Sequence, residues 1–573
     1  MTVTHDEGAT AWTGGPPPTQ PEPARQSSKR RWIIALVVGL VLLGAIVIVF
    51  LWANQQTAAA YSPLARYAPA ASAVYGEARL DLPGDQRDNL VSFLSHFPGF
   101  ADPATFDQKI NDTIDQLLLS MDAGVDWSTD IEPWFGGQLA LFASAPADRD
   151  EASESATVAV SVRDRALVEQ FIASQPLSAG LTGEEYRGRT IWTGQLDGEQ
   201  ASLVVTDDAL LLAMSPDDLR ASLDAFDGTA AGLTANETFS QHMSALDANR
   251  LAAVFIDATS LLDYLDEPLP SDLPLDIDQQ LAGLAGTIVA ELRTEGDHML
   301  VEYRMRPVEG RPLPSLPPTR STNLAERFPP DCIAYIEVRD LGVTLRDTLQ
   351  QVLELAVEEG LGDELPLDQF EQFLGVSLAE FPDFLGDGAV SFWAEGERIG
   401  GGIVSMVNDE AVGRARLVSL ATMLRALAAF GGSGVPIGVR EEAHGDATVT
   451  VVTIEGEDMP FSSLSYTLSD GLLYVGLDDF VTEALDRVAA DSLAADARYA
   501  AALNTVGAAN AGLFYTDIDR LRGLVEMLML AEGEDDEQYR QEVQPYLEPF
   551  AQLIGADFTE NDELVVRVLL FVD

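Results

Sequence analysis

The chain of 573 residues contains most of itself twice, and no other feature of it constrains the fold as strongly. AVYGEARLDL from Ala73 is answered by IAYIEVRDL from Ile333, which sets Tyr75, Glu77 and Arg79 on Tyr335, Glu337 and Arg339, 260 positions later. WFGGQLALFA from Trp134 is answered by FLGDGAVSFWA from Phe384, and VTDDALLLAMSPDDLRASLDAF from Val205 by TLSDGLLYVGLDDFVTEALDRV from Thr467, in the same order. A repeat of this length implies two copies of one architecture. A fainter echo lies inside each copy: AVFID from Ala253 and LFYTD from Leu513 again set an aromatic residue two positions before an acid.

Within a copy, ASLVVTDDALLLAM and SLSYTLSDGLLYVG read as hairpins turning at Asp207-Asp208 and Asp470-Gly471. Asp-Gly suits the positive dihedrals of a tight type I′ turn. Each hairpin runs into an amphipathic segment opened by Asp residues, as the positive end of a helix favours. Further helices are predicted over 104–121, 164–175, 236–246, 343–359, 409–430 and 518–531. Hairpins that follow one another without an intervening helix point away from a parallel sheet and toward an α+β class. The expected architecture is an N-terminal transmembrane helix followed by two tandem homologous repeats of antiparallel sheet, with helices packed on one face.

The transmembrane expectation comes from Trp32 to Ala53, 22 residues without a charge. As a helix they would reach roughly 33 Å, about the thickness of a bilayer core. Arg25, Lys29, Arg30 and Arg31 precede the run and the next basic residue is Arg66, so the positive-inside tendency sets the N-terminus in the cytoplasm and the rest outside. The run is too long for the apolar part of a cleaved signal, and the single cysteine, Cys332, is too far away for a lipid anchor. The expected divisions are a disordered cytoplasmic tail over 1–31, the span over 32–53, one extracytoplasmic repeat over 61–306, a Pro-rich linker over 307–323 and a second repeat over 324–573.

Charge and motifs then restrict the function. Ninety-two acidic against 34 basic side chains give a net charge of −58, which repels phosphate backbones, so no nucleic-acid partner is expected. No HExxH, CxxC, P-loop, GxGxxG or GxSxG is present; GGSGV at Gly431 reads as a turn, and His96, His242, His298 and His444 are scattered. No catalytic, cofactor-binding or metal-ligating residue is assigned, no cofactor is expected, and the protein is not expected to be an enzyme. The acidic clusters at 532–537, at Asp272, Asp276 and Asp278, and at 358–368 lack EF-hand spacing and read as solvated surface. The four recurring acids, Glu77, Asp257, Glu337 and Asp517, have two readings. They are ligands for a cation or polar partner, or else Asp257 and Asp517 cap helices while Glu77 and Glu337 pair with Arg79 and Arg339. The second reading is preferred, and Cys332 reads as a small buried strand residue.

The opening strand that follows Pro69 with Tyr75, Glu77 and Arg79, repeated after the Pro-rich linker by Pro330, Tyr335, Glu337 and Arg339, resembles a bacterial family catalogued only as a domain of unknown function. The resemblance is to single-pass envelope proteins of cyanobacterial and Chloroflexi type. It implies a membrane-anchored exterior protein and brings no catalytic residues. The expected function is a non-enzymatic binding or scaffolding module of the cell envelope, anchored in the membrane through residues 32–53, with an envelope protein or an apolar ligand as partner. The alternatives are a carrier or chaperone for an apolar ligand and an envelope hydrolase with a site between the repeats.

Overall fold

The computed structural model describes residues 61–120, 125–144, 156–175, 180–196, 199–262, 286–307, 317–358, 367–395, 398–430, 437–454, 462–532, 539–561 and 563–573. The first copy contributes strands β1 (Ser72–Arg79), β2 (Phe135–Ser144), β3 (Ala156–Val162), β4 (Thr182–Tyr186), β5 (Arg189–Leu196), β6 (Glu199–Val205), β7 (Ala209–Ala213), β8 (Ala252–Asp257), β9 (Gly286–Glu295) and β10 (His298–Pro307). The second contributes β11 (Ala334–Val338), β12 (Leu385–Glu395), β13 (Arg398–Val407), β14 (Ile437–His444), β15 (Ala447–Ile454), β16 (Ser463–Ser469), β17 (Leu472–Leu477), β18 (Gly512–Asp517), β19 (Phe550–Glu560) and β20 (Glu563–Val572).

All twenty form one antiparallel sheet. In the first copy the order runs β4-β5-β6-β7-β3-β2-β1-β8-β9-β10. It continues through β20-β19-β18-β11-β12-β13-β17-β16-β15-β14. Read outward from the β10–β20 seam, the two halves have the same order, so the copies are related by a pseudo-two-fold axis at that seam. The outer strands are polar: Glu184 and Glu185 on β4, and Arg440, Glu441 and Glu442 on β14, blunt edges that would otherwise template further pairing.

This corrects the expected architecture in two respects. The repeats do not form separate sheets, because β10 and β20 pair along eight residues from His298–Phe571 to Met305–Leu564. Nor do the helices keep to one face. On one face, which we call the inner face, Tyr75, Phe255 and Val204 of the first copy pack under helices Pro216–Phe226 and Glu237–Ala245. Tyr335, Tyr515 and Val404 of the second pack there under helices Phe480–Asp486 and Ala497–Val506. On the outer face, Leu139, Val160 and Leu210 of the first copy meet Leu90, Phe106, Ile110 and Val168 from helices Gln86–Leu94, Phe106–Ser120 and Arg165–Ser174. Strands apolar on both sides, such as ELVVRVLLFV in β20, follow from burial on both faces. Among the described residues no helix is long and apolar enough to cross a membrane, and residues 32–53, with the tail before them, lie outside the described residues.

Local chemistry accounts for the element ends. Asp470 and Gly471 both have positive φ, 52° and 74°, as the β16–β17 turn requires. The helices beginning at Arg165 and Glu410 are capped by Asp164 and Asp409, whose carboxylates accept from the second and third amides. The predicted helix over 343–359 is observed as Leu341–Glu358 and that over 518–531 as Ile518–Glu532.

The copies differ where helix Pro216–Phe226 meets the sheet. Asp218 aligns with Phe480 of the second copy, whose ring faces Gly402 and Gly476, and the strand pair corresponding to those glycines in the first copy is Thr157 and Ala213. Burial, and then the neighbouring Asp217 charge, lift the Asp218 carboxyl from 3.8 to about 6, and its Oδ2 has no hydrogen-bond partner. The folded chain therefore favours the protonated acid. That preference contributes fully below pH 3.8 and is lost as pH rises through about 6. Asp218→Asn is expected to raise stability at pH 7 by about 2 kcal/mol, with the full shift discounted for partial exposure and for the lost helix-end charge. Urea midpoints at pH 7 and pH 3.5 check this, since the gain should disappear at the lower pH.

Candidate functional site

The acids singled out by their recurrence are brought into two pairs of neighbouring strands, and their side chains are consumed by the fold. Tyr75 and Phe255 are direct cross-strand partners on β1 and β8, as are Tyr335 and Tyr515 on β11 and β18, and all four are fully buried. Glu77 accepts from the Tyr75 hydroxyl at 2.9 Å, the Ser62 amide at 2.7 Å and Arg250 at 2.6 Å. Glu337 accepts from the Tyr335 hydroxyl at 2.5 Å, Thr322 Oγ1 at 2.8 Å and Arg339 at 2.6 Å. The expected pairing with the arginine two residues on is thus met by Glu337 but not by Glu77. Arg250 stands 260 positions before Asn510, which in the second copy receives Arg339 on its Oδ1 at 2.6 Å. In the first copy Arg79 turns instead to Asp81. Burial, then the adjacent carboxylate, hold the Tyr75 and Tyr335 hydroxyls well above the usual tyrosine range, so both remain donors. Asp257 and Asp517 cap the helices that follow them, accepting from Thr259 N at 3.1 Å and Arg520 N at 3.0 Å.

The other polar features that the sequence or the surface offers do not converge on a site, and His242 has neither ring nitrogen hydrogen-bonded among the described residues. A cavity of about 310 Å³ is lined by Asp85, Gln86, Asn89, Asp247 and Arg293. The Gln86 and Asn89 amides are bonded to the Thr294 carbonyl, and Arg293 is paired with Glu291 and Glu295. The histidines are not brought together: His96 is exposed, His242 is buried in a helix, His298 packs on Phe571 and His444 meets Asp486. Cys332 is buried, donates to the Pro329 carbonyl, and has its thiol pushed up to about 12 by burial. Among the described residues no group of three or more His, Cys, Asp or Glu is placed to hold a metal ion. Residues 272–278, 431–436 and 533–537 lie outside the described residues.

What the sheet leaves open is apolar. On the outer face of the second copy, Ile336 pairs with Val390 and Val390 with Ile403, and Phe392 lies two residues along β12 from Val390. These four side chains are 42%, 38%, 38% and 41% exposed in the interior of a twenty-stranded sheet. The corresponding positions of the first copy hold Gly76, Leu141, Val158 and Ala143, none of them exposed. Phe514 extends the row from Ile336, its ring lying over Gly555 of the next strand, where an added Cβ would stand 2.1 Å from it. At one end of the patch Leu341 sits on Gly388, and Leu345, Leu349 and Val352 continue its stripe along helix Leu341–Glu358 with their side chains exposed.

Near the patch this face also carries the Asp557 carboxylate. Asp557 follows Gly555 by two residues on β19 and pairs with Gly512 on β18. Its Oδ2 leans over Gly512, whose missing Cβ would stand 3.0 Å away. The carboxylate is half-buried, and burial alone raises it above the ordinary aspartate value. Among the described residues no side chain pairs with it or donates to it. Leu292 holds the equivalent position in the first copy, opposite Ala252 as Asp557 is opposite Gly512. Sequence reading missed both the patch and Asp557. The signal that could have found them is divergence between the copies, Gly76 against Ile336 and Leu292 against Asp557, at positions where the fold needs neither change.

A family model described as "Protein of unknown function (DUF3352)" matches residues 34–553. No curated protein matches the chain. Among solved structures, crystal form I of TP0453 is similar at 11% identity over 43% of this chain and 79% of its own, with a TM-score of 0.23. Crystal form III of the same protein is similar at 10% identity over 43% and 80%, also with a TM-score of 0.23.

Proposed function

Because the chain belongs to the DUF3352 family, whose description names no activity, we propose from its own surface that it is a non-enzymatic binding module of a bacterial cell envelope. In this reading it is held at the membrane through the apolar residues 32–53, the larger part is extracytoplasmic, and the cyanobacterial or Chloroflexi type of envelope is its setting. The observation that carries the reading is the exposed patch of Ile336, Val390, Phe392 and Ile403. Contiguous apolar side chains left in water cost free energy that a partner's surface would recover, and such patches mark interaction sites. The first copy, with the same strands in the same order, has no such patch at the matching positions, so the fold does not demand it. The stripe Leu345, Leu349 and Val352 beside the patch favours a second form of the reading, in which sheet and helix hold an apolar ligand as a carrier would.

The test uses the full chain in nanodiscs with an environment-sensitive dye on Thr516→Cys. Thr516 lies on the same face, in the row of Ala334 and Phe392. Cys332, buried with a raised pKa, should stay unlabelled. Titration with dodecanol is expected to give a saturable blue shift that weakens on the order of tenfold in Ile336→Thr/Phe392→Thr, a pair of exchanges that removes about 2 kcal/mol of apolar contact. A dye insensitive to dodecanol would overturn the reading. So would hydrolytic turnover that survives repurification of the chain.

A further inference from the structure

The geometry points to an amphipathic cation as the ligand of the outer face, its apolar chain lying along Phe514, Ile336, Val390 and Ile403 and its positive head at the Asp557 carboxylate. This rests on the reading of the patch as a binding surface and adds the chemical class of what binds there.

The placement follows from the register. Phe514, Ile336, Val390 and Ile403 are successive cross-strand partners on β18, β11, β12 and β13, all pointing to the face opposite Tyr335, Ala389 and Val404 of the inner core. Asp557 lies on β19, one strand beyond Phe514, and on the same face, since Ile554, Ala556 and Phe558 point into the inner core. Five adjacent strands at about 4.8 Å spacing make a track of roughly 19 Å with a carboxylate at one end, the half-buried Phe514 next to it and the exposed Ile336, Val390 and Ile403 along the rest. The Gly512 position leaves room for that carboxylate to lean toward the track.

Charge separates this ligand from its neutral and anionic relatives. A half-buried carboxylate with no side-chain cation or donor is partly desolvated without compensation, a cost that a cationic partner would offset. Elsewhere in the sheet the acids are matched: Glu302 with Arg304 and Arg567, Glu563 with Arg306, and Asp387 with Arg320. Asp557 lacks such a match, and its counterpart Leu292 shows that an apolar residue serves the fold at this position. An anionic head would meet both the Asp557 carboxylate and a chain of net charge −58. A second copy of the chain is disfavoured on this face by the same charge.

The experiment is the Thr516→Cys dye titration of the full chain in nanodiscs, run with dodecylammonium, dodecanol and dodecanoate, which share one tail. Dodecylammonium is expected to bind on the order of tenfold more tightly than dodecanol, as for a charge-assisted hydrogen bond, and dodecanoate more weakly than either. Asp557→Asn, and Asp557→Leu as in the first copy, should bring the ammonium to the affinity of the alcohol while leaving the alcohol unchanged. Equal binding of all three probes would overturn the inference and leave the binding reading standing, whereas no shift with any of them would overturn both. An ammonium preference that survives both substitutions would assign it to the chain's overall charge and overturn the inference.

Discussion

Arg250→Ala is expected to lower the stability of the first repeat by about 3–5 kcal/mol, the range for breaking a buried ion pair by removing one partner. Arg250 and Glu77 are fully buried, and the guanidinium supplies the carboxylate with its positive charge at 2.6 Å. Without it, Glu77 keeps the Tyr75 hydroxyl and the Ser62 amide, two neutral donors for a buried anion. Arg79→Ala should cost clearly less, since its partner Asp81 reaches solvent and can rehydrate. In the second repeat the order inverts. Arg339 carries the pairing with Glu337 there, so Arg339→Ala should be the severe change and Asn510→Ala the mild one. Chemical-denaturation midpoints of the four variants, with exchange protection of β1 and β11 to locate the loss, check both halves. Equal effects of Arg79→Ala and Arg250→Ala would show that the two arginines share Glu77 and would refute the assignment.

Phe480→Ala should destabilise the second repeat by a similar amount, about 3–5 kcal/mol, through the cavity it would leave. The Phe480 ring fills space that two glycines vacate: a Cβ on Gly402 or Gly476 would come within 2.1 or 2.2 Å of its atoms. Phe328 stacks on it with ring centroids 5.6 Å apart, and Trp393 tilts against it at 5.4 Å. The surrounding sheet is held in register on both sides and cannot collapse into the gap. Gly476→Ala alone should also destabilise, by overpacking, whereas Gly476→Ala combined with Phe480→Ala refills part of the cavity. The double variant is therefore expected to lose less than the sum of the two single losses, by about 1 kcal/mol or more, on the order of neighbouring-site couplings. Strict additivity in urea midpoints would show that ring and glycine do not share that volume.

Phe480 and Asp218 also show what kind of information the sequence held. Hairpins and helices were legible because their signals are local: the Asp-Gly turn at 470–471, the capping Asp164 and Asp409, and the apolar periodicity of helices such as Arg165–Ser174. The duplication was legible because Tyr75, Glu77 and Arg79 return at a constant interval. Even the faint echo at Phe255 and Tyr515 had a physical cause, since each is the cross-strand partner of the aromatic it echoes. The candidate site was not legible. Ile336, Val390, Phe392 and Ile403 are ordinary strand residues in sequence, and whether such a residue is covered depends on which helix folds back over it. Asp557 likewise looks like any other acid in sequence, and that it is half-buried with no side-chain partner among the described residues is a property of its surroundings.

The sequence by itself determined the presence of two copies, their strands and helices, and a strongly acidic character, because repetition, dihedral preference and charge reside in the residues themselves. Only the tertiary structure decided that the copies share one sheet across β10 and β20, that Glu77 takes Arg250 rather than Arg79, and that an apolar track ends at Asp557. Those outcomes depend on register between strands distant in sequence. Moving a strand by one residue exchanges its buried and exposed faces, and no local signal in either strand specifies which register closes.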